Sequence, residues 1–484
     1  MNYGIVARTI GKLILIEALC LIFPLLVSLY HGQNDWPSFA ITIVICIALG
    51  VLLHSLIPHK NTRIKIREAF SIVALGWLFF SLLGALPFYF SGTIPHYIDA
   101  MLESIAGFTT TGASVMTQIE QLPRGILFWR GLSHWLGGMG ILAFSVAVLP
   151  SMDAGSFQIL KAEYPGPMPE KIAPRVKDTA KIFYFIYIGL TVAQVIFLSY
   201  GGMDLFDAII HAFGTVSTGG VSSKDASIGY FYDNSFIVWT VTIFMLISGI
   251  NISFYYFALK TRIRYLFQSE EVRLYLGIIA LCAVAVSMDL LAHNIFLQDR
   301  DITIRNAIFQ VVSIVTTSGF AIDNFDLWPN VSKVILFFLF FVGSCAGSTG
   351  GGIKSIRLLV CAKIIKRDLR KIVHTHAVTP IKVDAKAIPP ATVSMISSFV
   401  LLYVILFAVG SLLISFDGVD LATASSSVAV TLGNIGFGFG AVGPAGDFSG
   451  FSDAAKVLLS FFMLVGRLEL FTILVLFMPT FWKN

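Results

Sequence analysis

The feature that most constrains this chain is the recurrence of apolar runs long enough to cross a bilayer. They lie near 10–29, 39–57, 69–90, 128–149, 182–200, 236–256, 274–291, 393–416 and 457–478, each close to the ~20 residues that a hydrocarbon core requires of a helix. A tenth starts at Val334, is interrupted by Gly343-Ser344-Cys345-Ala346-Gly347-Ser348-Thr349-Gly350-Gly351-Gly352, and resumes over Ile353 to Ile365. Inside lipid, helices satisfy all their backbone polar groups within one segment. The expected fold is therefore an all-α polytopic membrane protein, and a composition of 56% hydrophobic against 13% charged residues agrees. The first run outlasts a signal-peptide core and no small-residue cleavage site follows at His31-Gly32-Gln33, so it reads as a retained helix.

Orientation follows from the basic residues. Of 33 Lys and Arg, 21 fall in the segments 58–67, 151–178, 259–273 and 354–387, and six on the opposite side. The positive-inside bias then places both termini in the cytoplasm. The net charge of +5 comes with no basic and aromatic cluster, which argues against nucleic acid as a partner and leaves membrane lipid as the surrounding medium. The five cysteines form no CxxC pair, so neither a disulfide framework nor a zinc site is expected.

Four short polar segments between spans align without gaps. They run from Ala100 to Gly112, Ala208 to Gly220, Ala307 to Gly319 and Ala424 to Gly436, twelve residues in each case, with the glycines recurring after 108, 99 and 117 residues. This is a fourfold internal repeat: a span, a re-entrant helix of about eleven residues, a polar stretch ending in glycine, and another span. The expected units are an N-terminal two-helix domain (1–60) and repeats at 61–165, 166–268, 269–376, with a broken second helix, and 377–484.

Irregular backbone at membrane depth is tolerated only where it is buried in protein or lines a watery cavity. Four such stretches around one axis make a pore. Its lining is expected from Thr110, Thr111 and Gly112; Thr218, Gly219 and Gly220; Thr317, Ser318 and Gly319; and Asn434, Ile435 and Gly436. Backbone carbonyls and Thr or Ser hydroxyls can replace the hydration shell of a weakly hydrated monovalent cation, and the C-terminal ends of four re-entrant helices add negative potential. No acidic residue sits in these four filter stretches, which argues against a divalent ion.

The glycine run is not a phosphate-binding loop, because Ile353 separates Gly352 from Lys354. Gly343, Gly347, Ser348, Thr349, Gly350, Gly351 and Gly352 read instead as mobile backbone below the filter, or alternatively as small residues for close helix packing. Arg467 falls in the middle of the last span, where a charge is expected to face a cavity or a partner. Glu469, two residues on, points away from it. Glu17, Asp289, His134 and His211 are candidates for proton relay or, more simply, for local hydrogen bonding. His374-Thr375-His376 lacks a third ligand and reads as solvated loop. No paired carboxylates, nucleophile and base, or metal-ligand cluster suggests an enzyme.

On Thr110-Thr111-Gly112-Ala113-Ser114, Val216-Ser217-Thr218-Gly219-Gly220-Val221-Ser222, Thr316-Thr317-Ser318-Gly319-Phe320 and Gly433-Asn434-Ile435-Gly436, the chain resembles the Trk/Ktr/HKT superfamily of potassium transport proteins. Its first two spans match the extra N-terminal pair of bacterial TrkH-type members. The resemblance implies potassium as the transported ion, moderate selectivity over sodium, and no organic cofactor on this chain. It also implies a role for the glycine run as an intramembrane gate touched by Arg467, and a homodimer in the bacterial inner membrane seated on a cytosolic nucleotide-binding regulatory ring, TrkA-like. A secondary transporter coupling potassium to protons or sodium is the alternative. Four repeats sharing one orientation favour an axial pore over it.

Overall fold

The computed structural model describes residues 1–55, 64–140, 176–260, 267–295, 299–374 and 379–482. Helices dominate, and among the described residues the only strands are the two of a hairpin, Lys382–Val383 paired antiparallel with Lys386–Ala387. Six described helices have the length and apolarity to cross a membrane.

An N-terminal pair comes first: Tyr3–Cys20 continued by Ile22–Tyr30, then Trp36–Ser55. A Cβ on Gly11 would stand 2.8 Å from the carbonyl oxygen of Gly50, so these two helices cross through small residues that let their backbones touch. Each following unit has an outer helix, a shorter re-entrant helix and an inner helix. The outer helices are Ile66–Gly84, Val176–Tyr200, Glu270–Ala292 and Pro390–Ser415, and the re-entrant ones are Tyr97–Phe108, Leu205–Val216, Arg300–Val315 and Leu421–Gly433. Three of the re-entrant helices open on an aspartate, Asp204, Asp299 and Asp420, whose carboxylate accepts the first free amides, a cap that also suits the positive end of the helix dipole. The cradle beneath the first re-entrant helix is aromatic: Phe108 packs edge-on to Phe80 and Trp129, and Trp129 Nε1 donates to the Gly84 carbonyl at 2.9 Å.

The inner helices depart from expectation. Continuous spans at 236–256 and 457–478 are replaced by bent pairs, Ser235–Ser248 with Ile252–Ala258 at 93° and Asp453–Arg467 with Phe471–Phe477 at 111°. At the first bend the Asn251 side chain accepts the amide of Ser253 at 2.8 Å, restarting a helix in mid-membrane. At the second, Glu469 and Leu470 adopt left-handed φ of 57° and 51°, which no helix continues through. In the third unit Asn330–Leu339 and Ser355–Val373 flank the anticipated interruption. The helix Arg124–Gly138 of the first unit covers the start of the span expected at 128–149, whose end lies outside the described residues. Breaking the inner helix is thus a habit of the architecture and not a peculiarity of the third repeat.

Candidate ion-conduction site

Each re-entrant helix ends in the same backbone figure. Thr110, Thr218, Thr317 and Asn434 have left-handed φ of 55°, 57°, 57° and 53°, and the glycine two residues later, Gly112, Gly220, Gly319 or Gly436, has φ of 77°, 66°, 72° or 102°. In the first three segments the amides of the last two residues turn back to one carbonyl of the preceding helix: Thr111 and Gly112 to Ala106, Gly219 and Gly220 to Gly214, Ser318 and Gly319 to Ser313. In the fourth, Ile435 bonds Val430. With their amides drawn inward, the carbonyls of 110–112, 218–220, 317–319 and 434–436 accept no hydrogen bond from any described residue. Such carbonyls at membrane depth need water or an ion.

The four segments close into a ring. A Cβ placed on Gly112 would collide with the Gly219 carbonyl oxygen, one on Gly220 with that of Ser318, one on Gly319 with that of Ile435, and one on Gly436 would come within 2.8 Å of that of Thr111. Every approach is of one segment's glycine to the carbonyl just before the next segment's glycine. Both the positive φ and the lack of room exclude any other residue at low cost. An outer collar repeats the cycle. Ile119 N donates to Asp225 at 2.6 Å, Gly229 N to the Ala321 carbonyl at 3.3 Å, Gly440 N to Asp326 at 3.1 Å, and Phe448 N to the Ser114 carbonyl at 2.9 Å. These bonds join units one to two, two to three, three to four and four to one.

The hydroxyls do not sit as expected. Thr111 Oγ1 is shared with Thr109 Oγ1 at 2.7 Å and with Asn434 Nδ2 at 2.9 Å, and Ser318 Oγ with Thr316 Oγ1 at 2.8 Å. Thr218 Oγ1 donates to the Ser217 carbonyl and Thr317 Oγ1 accepts the Gly351 amide, at 2.6 and 2.7 Å. These hydroxyls brace the segments from behind or below, since a buried hydroxyl seeks a fixed partner. Thr110 Oγ1 alone among those of the filter residues is buried without one. The backbone carbonyls and the Thr110 hydroxyl are thus among the filter-segment oxygens that no described residue hydrogen-bonds.

Further side chains hold the outer end of each segment. Glu103 accepts Ser114 Oγ and the Val115 amide, at 2.9 and 3.0 Å, and pairs with Arg130 at 2.7 Å. His211 meets Ser222 Oγ at 2.9 Å, Ser313 donates to the Phe320 carbonyl, and Ser426 to that of Phe439. His134 is bonded through Nδ1 to the Arg130 carbonyl, and Asp289 caps the helix starting at Asn330 through Ser332. The polar residues weighed as relays therefore make local hydrogen bonds, apart from Glu17, buried with no hydrogen-bond partner for either carboxylate oxygen, and with His134 Nε2 also left without one. Of the loop motif at 374–376, only His374 is described.

The glycine-rich loop packs against the ring segments and touches the second, third and fourth units. Gly351 N reaches Thr317 of the third segment, Thr349 Oγ1 donates to the carbonyls of Val216 and Ser248 in the second unit, and a Cβ on Gly351 would strike Gly433 and Asn434 of the fourth. Arg467 ends the first half of the last inner helix. It donates through Nη1 to the Thr349 carbonyl at 2.5 Å and through Nη2 to those of Gly137 and Gly138, at 2.6 and 3.0 Å, so it ties the loop to the first unit. Gly343 N bonds the Ile353 carbonyl at 2.9 Å, and Ser344 Oγ meets Ser348 Oγ at 2.7 Å. The loop is thus tightly bonded and not free backbone.

Two of its holders escaped the sequence reading: Lys354, whose ammonium donates to the Gly350 carbonyl, and Glu271, which accepts the amides of Ala346 and Ile356; just beyond the loop Arg357 pairs with Glu469 and lies 3.9 Å over the Phe399 ring. A charge flanking an interrupted apolar run was the available signal.

Residues 36–484 match the TrkH family, described as cation transport proteins. The chain is 40% identical, over the full length of both, to the Trk system potassium uptake protein TrkH of Escherichia coli K12, and 32% identical to TrkG of the same strain over 99% of each. Its fold superposes on the crystal structure of the potassium transporter TrkH from Vibrio parahaemolyticus with a TM-score of 0.90 at 35% identity, covering all of both chains. With a family match over most of its length and relatives 40% identical over all of it, the chain belongs to the TrkH family of cation transport proteins, which are not enzymes.

Proposed function

We propose that the chain is the pore subunit of a bacterial potassium-uptake system: a gated, moderately selective monovalent-cation channel in the inner membrane with both termini cytoplasmic. The observation that carries this reading is the closed ring, in which four glycines bring four sets of unbonded carbonyls together. Carbonyl dipoles without a carboxylate suit a weakly hydrated monovalent ion. Residues 110–112, 218–220, 317–319 and 434–436 form the filter, 343–352 the gate, and Arg467 its latch. The units are 1–60, 61–165, 166–268, 269–376 and 377–484.

One chain supplies every filter segment, so each subunit of the proposed homodimer holds its own pore. Relatives named for a Trk system support a multicomponent assembly, here a cytosolic nucleotide-binding ring of TrkA type that acts on the gate. Recording from the purified protein in a planar bilayer tests the channel. Discrete openings that reverse at the potassium equilibrium potential are expected, whereas flux in fixed stoichiometry with protons or sodium, driven against the potassium gradient, assigns the protein to secondary transport. Dimers mixed with a filter-dead subunit should retain half the conductance.

A further inference from the structure

We propose that Glu271 is a second positioning residue of the gate and that the hairpin 382–387 holds it in place, so that the hairpin and the gate move together. This rests on reading 343–352 as the gate. Buried Glu271 gathers both ends of that loop with one carboxylate oxygen, Oε1, which accepts the Ala346 amide at 2.6 Å and the Ile356 amide at 3.2 Å. Ala346 lies near the loop's entry and Ile356 in the first turn of the helix that leaves it. The neck between is zipped by the parallel bridge of Val342 and Ile353, and by Ser355, which bonds the carbonyls of Ser344 and Gly343. Arg467 holds the far side of the loop, and Glu271 holds the neck.

Glu271 sits in the first turn of Glu270–Ala292, and its N-cap, Ser269, makes no side-chain cap bond of its own. Asp384, at the hairpin turn, supplies the cap across 114 residues: its carboxylate accepts the Glu270 amide at 2.7 Å, with Ser269 Oγ at 3.4 Å. The register Lys382 to Ala387 and Val383 to Lys386 leaves a two-residue turn, and both its residues, Asp384 and Ala385, have left-handed φ, 47° and 63°. Glycine or asparagine is the usual occupant of such a turn. An Asp-Ala turn persists when outside contacts over-determine it, and the cap is such a contact. Lys363 adds a second tie, donating to the Glu270 carboxylate and to the Lys382 carbonyl. A displacement of the exposed hairpin therefore shifts the start of the helix, and Glu271 with it, away from the loop.

Rubidium uptake into proteoliposomes holding the full chain, without any cytosolic partner and at equal amounts of folded protein, tests this. Glu271→Ala removes the shared acceptor and should raise basal uptake about tenfold, the equivalent of one charge-assisted pair of bonds. Glu271→Gln keeps an acceptor oxygen and should stay near the parent. Asp384→Ala, at an exposed turn where misfolding is no concern, should raise uptake about threefold, as expected for one cap. Glu271→Ala with Asp384→Ala should do no more than Glu271→Ala alone, and discrimination against sodium should not change in any variant. A deletion within 347–351 is the reference. If it raises uptake while both single alanine variants conduct like the parent, the gate stands and the coupling is wrong. Additive effects in the double variant also overturn it, and a deletion without effect removes the gate and this proposal together.

Discussion

The filter ring and the loop beneath it are both irregular backbone at membrane depth, yet they are held by different means. The ring is built four times from one local figure, a left-handed residue followed by a left-handed glycine, and its critical contacts are backbone to backbone. The loop occurs once, and charged side chains from distant parts of the chain hold it: Arg467, Lys354 and Glu271. Backbone figures repeat because they need only local sequence, whereas a unique plug needs a unique set of donors and acceptors. The division suits the two tasks. In the proposed function the ring, as selectivity filter, must keep its geometry, and the loop, as gate, must have bonds that can be exchanged.

The largest effect should come from breaking the ring where it is tightest. Gly319→Ala drives a Cβ into the Ile435 carbonyl at a left-handed φ, at a cost of several kcal/mol from overlap and about 1 kcal/mol from the backbone, and potassium uptake should be lost. Gly112→Ser and Gly220→Ser should let sodium compete better, and Gly436→Ala, where the approach is 2.8 Å, should be mildest. Competition of sodium against rubidium uptake ranks the four. An equal loss at all positions breaks the graded ring.

Next, Arg467→Ala should leave selectivity intact and raise basal uptake about tenfold, because three charge-assisted bonds to the loop and the first unit disappear together. Deleting residues within 347–351 should act more strongly, since it removes the plug itself. Unchanged uptake in both variants assigns the glycine run to packing.

A smaller effect is expected on stability. Arg357→Met leaves Glu469 without its cation at the bend of the last inner helix. Because that carboxylate is partly solvated, the loss should be roughly 2 kcal/mol, below the range for a wholly buried pair, and visible as earlier thermal unfolding in detergent. An unchanged midpoint means that the left-handed Glu469 and Leu470 hold the bend unaided.

The smallest expected change sharpens the boundary between the two regions. Thr317→Val removes the one hydroxyl joining a filter segment to the loop and should raise basal uptake about threefold, for roughly one neutral hydrogen bond. Thr218→Val loses only a bond to its own segment's Ser217 carbonyl and should leave basal uptake alone. Equal behaviour of the two variants would show that the ring and the loop are one unit.

How far the chain can be read without its structure follows the same line. The repeats were legible because Ala100, Ala208, Ala307 and Ala424 each precede a glycine at one spacing, and the structure puts all four glycines in one ring. Arg467 and the glycine run were both visible as anomalies in apolar surroundings, and they meet through Thr349. The hydrogen-bond partners of the Thr111 and Ser318 hydroxyls were not legible, because a residue type shows that an oxygen is present and not which way it faces. The bends at 249–251 and 468–470 were missed for a related reason. Single polar residues in otherwise apolar runs do not say that a helix stops, and only the side-chain cap of Asn251 and the left-handed pair at 469–470 mark where the helices stop.

Hydropathy and periodicity are properties of contiguous residues, so the apolar runs, the fourfold spacing and the four glycines that meet in the ring could be read from the chain alone. The partners of Lys354, Arg357 and Glu271 could not. Glu271 meets Ile356 across 85 residues and Arg357 meets Glu469 across 112. A buried charge advertises that it needs a partner, but which one it finds depends on how the helices pack, and that choice is made only when the four units close around their axis.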